Sequence, residues 1–588
     1  MQNINAPEKV IMSQKQSLEY LASQMDQERQ TYMPQWRDVC DYLMPTRPKW
    51  QITDHNKGDR RNQKIIDSTA CFAHRTARAG IMSGVTSPAR PWFRLSIPDK
   101  ELAESGAVKN WLYDVGGRMN NMFLRSNLYQ VLPSVYGDML GISTGCMLAE
   151  RDLDSVLRFY SIPMGSYCLS LDDKLRVRVF YRDLQYNVRQ LIEKFGMTDP
   201  DRPDEIDWSK FSNTVKTLYS QKNMEATIQV RHFILPNPDF DPRKAQSKFK
   251  RFLSCYYERA YMGAGPSPIG SDMADDVYLR EAGYDYFPVL APRWEVSGED
   301  IYGNNCPGFE ALGDIRALQL MQKRKAQGIE KQMNPPLRAF NSLKNQNIQG
   351  LPGRTTYVDP NGTQAGVAPI YEVRPDINGM LLDIQDHQQR IRRAFYEDLF
   401  LMLASSNDPN RTATEIIERK EEKLLALGPV LEQLNQDLLD PLIDIAFFEM
   451  LEQGQIPEPP PEIQGMDIRV EYISIMAQSQ KLIGIGSLER FLGMVGQIAS
   501  FDPSVLDKVD ADQAVDEYAD MTSVPPRVVR SDEVAAEIRA KRNEAAAAQA
   551  QSEQMAQAAQ SAKNLSQASL DGNNALNATL NQAQVGAV

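Results

Sequence analysis

Glu310-Ala-Leu-Gly-Asp-Ile-Arg-Ala-Leu-Gln-Leu-Met-Gln-Lys-Arg-Lys-Ala-Gln-Gly-Ile-Glu-Lys-Gln-Met333, followed by Asn334-Pro335-Pro336, is the stretch from which the architecture is read. Leu312, Ile315, Leu318, Met321, Ile329 and Met333 recur at helical spacing, and the prolines, which lack an N–H, stop the helix. After about forty residues of Gly/Pro/Asn-rich, partly β-like sequence the period resumes from Ile377 to Leu403, through Leu381, Ile384, Ile391, Phe395, Leu399 and Met402. A polar loop, Ser405 to Arg411, separates it from a third run reaching about Gln453. That run opens at Thr412-Ala-Thr-Glu415 with the spacing of a capping box, adds a Glu415/Arg419 pair, and is expected to kink at Gly428-Pro429. The first two helices would be rods of about 35–40 Å at 1.5 Å per residue. Both carry a polar face: Gln322, Lys323, Arg324 and Lys325 on one; Gln388, Gln389, Arg390, Arg392 and Arg393 on the other. Two readings fit that pattern, a hairpin with solvated charges or a hairpin packed on copies of itself with one face towards a channel.

Upstream, Ser13 to Tyr42 is periodic through Leu18, Leu21, Met25, Tyr32, Trp36 and Val39. A basic turn-rich stretch from Arg47 to Arg61 precedes helical segments over Ile65 to Met82 and Ala107 to Met147. The second of these is expected to be interrupted at Pro133, Gly141 and Gly145. Leu157 to Ile162, Arg176 to Tyr181, Ala226 to Leu235 and Phe252 to Tyr261 alternate or are β-branched and aromatic between turn residues, which predicts strands. Beyond Pro457 to Pro461 come a short strand, Asp467 to Ile473, further helices, and a long Ala/Gln-rich helix from Asp532. It fades into a polar tail expected to be mobile beyond about Gln567. The fold class is α+β, predominantly helical.

The chain has 588 residues with 42 % apolar content, 65 Lys+Arg and 77 Asp+Glu, for a formal charge of −12. That composition builds a sizeable core and excludes a disordered chain. Acidity argues against a protein that coats DNA, which should be basic. Six scattered cysteines without C-x-x-C or zinc spacing read as reduced thiols. The first residues lack an apolar h-region and no uninterrupted apolar stretch reaches membrane-spanning length, so a soluble protein without membrane contact is expected.

No constellation for catalysis is visible. There is no phosphate-binding G-x-x-x-x-G-K-[ST], and Gly80–Gly84 and Gly141–Gly145 read as ordinary Gly-spaced turns. His55, His74, His232 and His387 are not at ligand spacing. Asp199, Asp201, Asp204 and Glu205, and Asp239 with Asp241, lack the glycine and final glutamate of a calcium loop and read as solvated. No G-x-S-x-G occurs. The expectation is no enzyme, no metal and no cofactor.

Several segments resemble the portal, or head-to-tail connector, proteins of short-tailed, podovirus-type bacteriophages. Gly80-Ile-Met-Ser-Gly-Val-Thr-Ser-Pro-Ala-Arg-Pro-Trp-Phe-Arg94 is similar to that family's G-x-T-S-P-x-R-P-W-F signature. Tyr302-Gly-Asn-Asn-Cys-Pro-Gly-Phe-Glu-Ala-Leu-Gly-Asp-Ile-Arg-Ala-Leu318, Phe395-Tyr-Glu-Asp-Leu-Phe400, Thr412-Ala-Thr-Glu415 with Arg419 and Glu422, and Val470-Glu-Tyr-Ile-Ser474 resemble its later motifs in order. Gly313 stands where a more helix-favouring residue is usual. The resemblance covers about residues 15 to 540; Trp92 and Phe93 read as buried anchors.

The resemblance implies a wing over 1–308, stem helices over 309–334 and 377–404, an α/β clip over 335–376 and a tunnel loop over 405–411. A long wing helix with a return strand over 412–475, a helical crown over 476–545 and an extension over 546–588 complete it. It implies a homo-oligomeric ring, usually a dodecamer, at one capsid vertex of the virion, assembled in the host cytoplasm. Double-stranded DNA would pass through it; terminase and then tail or adaptor proteins would dock on it; major capsid and scaffolding proteins would surround it. Ser405, Ser406, Asn407, Asp408, Asn410 and Arg411 would face the channel. Lys323, Arg324, Arg392 and Arg393 would line the stem lumen or meet neighbouring subunits. Charge then reads differently: a strongly acidic ring would repel DNA from most of its surface and let the duplex slide. Two other classes remain at this point, a metal-dependent nucleic-acid-processing enzyme using the acidic clusters, for which nuclease activity lost on mutating Asp239 and Asp241 would be the sign, and an adaptor or scaffold without a channel.

Overall fold

The computed structural model describes residues 14–50, 58–99, 102, 105–196, 206–261, 277–335, 337–339, 367–369, 376–404, 427–465, 468–473, 489–522 and 532–567. The chain divides into two compact units: residues 1–96, 112–458 and 468–483 form one, and 97–111, 459–467 and 484–588 the other.

The first unit opens with helix α1 (Gln14–Leu43), whose buried Leu18, Ala22, Met25, Met33, Trp36 and Val39 form the apolar stripe seen in the sequence. Its N-terminal half lies on an antiparallel five-stranded sheet whose strands run in the order Tyr167–Leu171, Val177–Asn187, Thr227–Pro236, Phe252–Tyr261, Arg280–Tyr284. Period-two alternation splits the sheet residues between two cores. Cys168, Tyr181, Phe233, Cys255 and Tyr257 meet Leu18, Ala22 and Met25 on one face. Ile228, Val230 and Tyr256 meet the short helices Val188–Phe195 and Asn213–Ser220 on the other. Buried Arg231 ties the first of these layers together, donating to Asp183 at 2.7 and 2.8 Å and to Glu19 at 3.0 Å.

Helix α2 (Thr69–Val85) packs on Leu128–Ile142, a helix buried along most of its length. One buried ion pair fixes the second of these helices: Arg47 makes a two-pronged bond to Asp138 at 2.9 and 2.6 Å. Strand β1 (Phe93–Ser96) pairs antiparallel with Arg469–Tyr472, a partner more than 370 residues away. The signature tryptophan is buried here, donating through Nε1 to Tyr129 Oη at 3.1 Å with Phe93 and Phe123 against its ring.

Four sequence expectations change. The segment Gly80–Gly84 lies inside α2 and is not a turn. Pro133 does not interrupt its helix; the break falls at Ser126–Asn127, where Asn127 instead bridges to Phe159 by both amide atoms. Glu310 belongs to a separate one-turn helix, Pro307–Glu310, and the long helix starts at Leu312, with Gly313 in its first turn. The 377–403 run is two helices, Ile377–Ala394 and Glu397–Ala404, parted by Tyr396 at φ +54°.

In the second unit a helix over 489–499 and the helices Ala511–Thr522 and Asp532–Gln567 are present, the last with its surface exposed over 541–561. No helix among the described residues is long and apolar enough to cross a membrane.

Candidate functional site

The helices Leu312–Met333 and Ile377–Ala394 form an antiparallel hairpin in the first unit. Ile315 and Leu318 of one, and Ile384 and Ile391 of the other, supply its buried apolar residues. His387 Nδ1 lies 2.8 Å from Asp314 Oδ1, pairing the start of the first helix with the later part of the second. Beyond Met333 and before Ile377, the short strands Leu337–Ala339 and Val367–Pro369 pair antiparallel.

What fastens the hairpin to the body is a cluster of amides around Asp67. Gln319 is buried, although it lies on a helix whose polar positions read as solvated. Its Oε1 accepts from the backbone N–H groups of Ile66 at 2.6 Å and Asp67 at 2.8 Å, and its Nε2 donates to the Asp67 carbonyl at 2.9 Å. The Asp67 carboxylate then accepts from Gln322 and Gln388, both at 2.9 Å, one from each helix of the hairpin, and from the Thr69 N–H at 2.8 Å. Burial pushes this carboxyl up, but the bonds from Thr69, Gln322 and Gln388 outweigh it and hold it below the usual range. One segment, 66–69, therefore binds both helices, and the same Asp67 side chain accepts from the first N–H of α2. Sequence reading placed Gln322 and Gln388 on the polar faces and missed Asp67 and Gln319. The available signal was Asp67-Ser-Thr69 at the head of a helix; the partners 250 or more residues away had none.

Lys323 and Arg324 are exposed on the first helix and have no side-chain partner among the described residues; the same holds for Arg393 on the second. Arg392 sits between two surface grooves, one lined by Asp67, Thr69 and Phe72, the other by Gln385, Gln389 and Asp398. Its Nε is 3.6 Å from Glu397 Oε2, a loose contact. Other cations are engaged: Arg316 with Asp38 at 2.5 Å, Arg390 with Asp386 at 2.5 Å. The hairpin thus brings four sequence-named cations to one two-helix element, three of them without a side-chain partner among the described residues. Ser405, Ser406, Asn407, Asp408, Asn410 and Arg411, with the Thr412–Glu415 cap, lie outside the described residues.

Two sequence motifs far apart in the chain meet beside the hairpin. A Cβ at Gly80 would lie 2.2 Å from the Phe400 ring and 2.6 Å from its Cβ, so only glycine lets α2 approach Glu397–Ala404 this closely. The Gly80 and Phe400 positions come from the two segments Gly80–Arg94 and Phe395–Phe400.

Nothing in the described residues assembles a metal centre. Asp239 and Asp241 both lie in a turn: the Asp239 N–H donates to Asn237 Oδ1 at 3.0 Å, while the Asp241 carboxylate accepts from the Arg243 N–H at 3.0 Å and pairs with Lys244 at 3.6 Å. The cluster Asp199, Asp201, Asp204 and Glu205 lies outside the described residues, as does His55. His74 and His232 are buried. Burial drives His74 down to about 4, so its ring is neutral at pH 7 and donates to the Gly137 carbonyl at 2.8 Å. All six cysteines are free.

The family model described as bacteriophage head to tail connecting protein matches residues 15–529. The chain is 43 % identical over 538 residues to a protein named portal protein from Salmonella phage epsilon15, covering 91 % of this chain and 93 % of that one. It is 41 % identical over 527 residues to a probable portal protein of Bordetella phage BPP-1, covering 90 % and 91 %.

Proposed function

Because the chain belongs to the bacteriophage head-to-tail connecting proteins, we propose that it is the subunit of a phage portal. Copies close into a ring, a dodecamer, at one vertex of the capsid, and double-stranded DNA enters and leaves through the middle. The observation that carries this is collinear similarity over nine-tenths of the chain to two proteins named as portals. The role is structural: terminase docks on the ring during packaging and supplies the energy, and tail or adaptor proteins replace it. Major capsid and scaffolding proteins hold the ring in the shell, in the host cytoplasm during assembly and then in the virion.

On this reading the 312–333/377–394 hairpin is the stem, the residues between its helices are the clip, and Ser405–Arg411 is the loop that reaches towards DNA. The single cation of that loop, Arg411, beside Asn407, Asp408 and Asn410, offers few phosphate contacts, as sliding requires.

Electron microscopy of the purified full-length chain in negative stain tests the reading. Rings with a central hole of about 20–40 Å, wide enough for a hydrated duplex whose major groove alone is about 12 Å, are expected. A homogeneous monomer at every concentration would refute it. Arg411→Ala in an infectious phage should change DNA packaging or retention while rings still form. Loss of rings would move Arg411 from the channel to a subunit contact.

A further inference from the structure

The sequence over 377–404 is written for one straight helix, and the structure bends it. At 3.6 residues per turn Ile384, Ile391, Phe395 and Leu399 fall within about 80° of one another, and all four are buried. The break between Ile377–Ala394 and Glu397–Ala404 rests on Tyr396, a bulky residue held at φ +54°, in the left-handed region. Two side chains beside it go unanswered. Among the described residues, Glu397 Oε2 is buried without a hydrogen bond, 3.6 Å from Arg392 Nε, and Arg393 is exposed with no side-chain partner. The Glu397 N–H opens the second helix and has no backbone acceptor among those residues; the Tyr396 N–H takes the Arg393 carbonyl instead, at 3.0 Å.

A straight helix would mend all three faults. Residue 396 would return to negative φ, the Glu397 N–H would reach the Arg393 carbonyl, and Arg393 with Glu397 would become an i,i+4 pair. What the bend gains is Phe400. In a straight helix it would point about 140° away from the centre of the buried stripe. Bent, it is buried over Gly80, where a Cβ would lie 2.2 Å from its ring. The balance therefore sets one aromatic contact against one strained residue and the bonds lost around it.

We propose that Tyr396 is a two-state hinge: bent with Phe400 latched in the Gly80 notch of α2, or straight with 377–404 as one continuous helix. The bent form is the resting one. Phe395, its ring 6.0 Å from that of His74 on α2, anchors the helix ahead of the hinge in both. Straightening lifts the eight residues Glu397–Ala404, about 12 Å of helix, off α2 and redirects the chain that leaves Ala404. The hinge belongs to a single subunit and holds whether or not copies assemble.

Residue-resolved hydrogen–deuterium exchange of the full-length chain tests it, read at the Glu397 amide and corrected for intrinsic rates. In the parent this amide is unbonded and should exchange within about tenfold of an open peptide. Phe400→Ala removes the latch and should slow it by about tenfold or more, because the straight helix bonds it. Gly80→Val fills the notch from the other side and should slow the same amide. Unfolding cannot imitate this, since a melted segment exchanges faster. Adding Tyr396→Gly to Phe400→Ala should return most of the lost rate, because glycine takes positive φ freely and weakens a helix interior. Exchange that is unchanged or faster in both Phe400→Ala and Gly80→Val would overturn the hinge. So would a slowing that Tyr396→Gly does not reverse.

Discussion

Gln319→Ala tests whether the hairpin is mounted through Asp67. The side chain satisfies two N–H groups and one carbonyl of residues 66–67, at 2.6, 2.8 and 2.9 Å. Each bond is worth about 0.5–1.5 kcal/mol net, and partners left without water cost about 1–3 kcal/mol each. Segment 66–67 is partly exposed, with Ile66 at 54 %, so water recovers part of that. The expected loss is therefore about 2–4 kcal/mol of local stability. That is about thirty- to several-hundred-fold in the opening equilibrium. Hydrogen–deuterium exchange is the assay, because opening confined to one segment need not move a global melting curve. The amides of Ile66 and Asp67 should exchange faster by about that factor, followed by the hairpin residues near Gln322 and Gln388. Gln327→Ala, an exposed glutamine on the same helix, is the control. Equal protection in Gln319→Ala and Gln327→Ala would refute the mounting.

Replacing Arg231 by Met leaves Asp183 and Glu19, each about a fifth exposed, with Arg259 still beside them at 3.4 and 3.8 Å; the loss expected in thermal unfolding is about 2–3 kcal/mol, below the roughly 3–5 kcal/mol of a fully buried pair left without a partner. Gly80→Val forces Phe400 away from α2 and should cost about 1–3 kcal/mol, while Phe400→Ala in the same chain should restore part of it. His74 is held neutral, near 4 against an ordinary 6.5, so the unfolded chain binds the extra proton between those values. Stability must then fall as pH drops from about 6.5 to about 4, by at most about 1.4 kcal/mol per unit from this residue. His74→Gln should flatten the pH dependence of the melting temperature in that window; an unchanged slope would refute the assignment.

Local pattern carried most elements of the fold. The stripe Leu18–Met25–Trp36 marks residues whose burial is set by the period of their own segment, and the β-branched and aromatic run Phe252–Tyr261 marks a strand, buried on both faces from Phe252 to Glu258. What pattern could not show was direction or distant partnership. Phe395 and Leu399 are both buried, so the apolar period runs unbroken through the turn at Tyr396. Pro133 sits between Leu132 and Val135, both fully buried, and packing overrides its weak propensity. The pairing of Phe93–Ser96 with Arg469–Tyr472 and the meeting of Gly80 with Phe400 depend on topology alone. At the site, the cations were legible as exposed polar positions, whereas Gln319 was not, because a buried glutamine and a solvated one look alike in a helix. The resemblance drew attention to the hairpin; the structure showed what holds it.

The way it is held has a mechanical corollary. Gln319 grips backbone groups with a neutral amide, and such bonds are indifferent to dissolved ions, whereas the exposed charges of the same helix are screened within about 10 Å at 0.1 M salt. One solvent variable therefore separates two joints on a single rod: brine can slacken what the rod's outer surface touches while its root stays clamped.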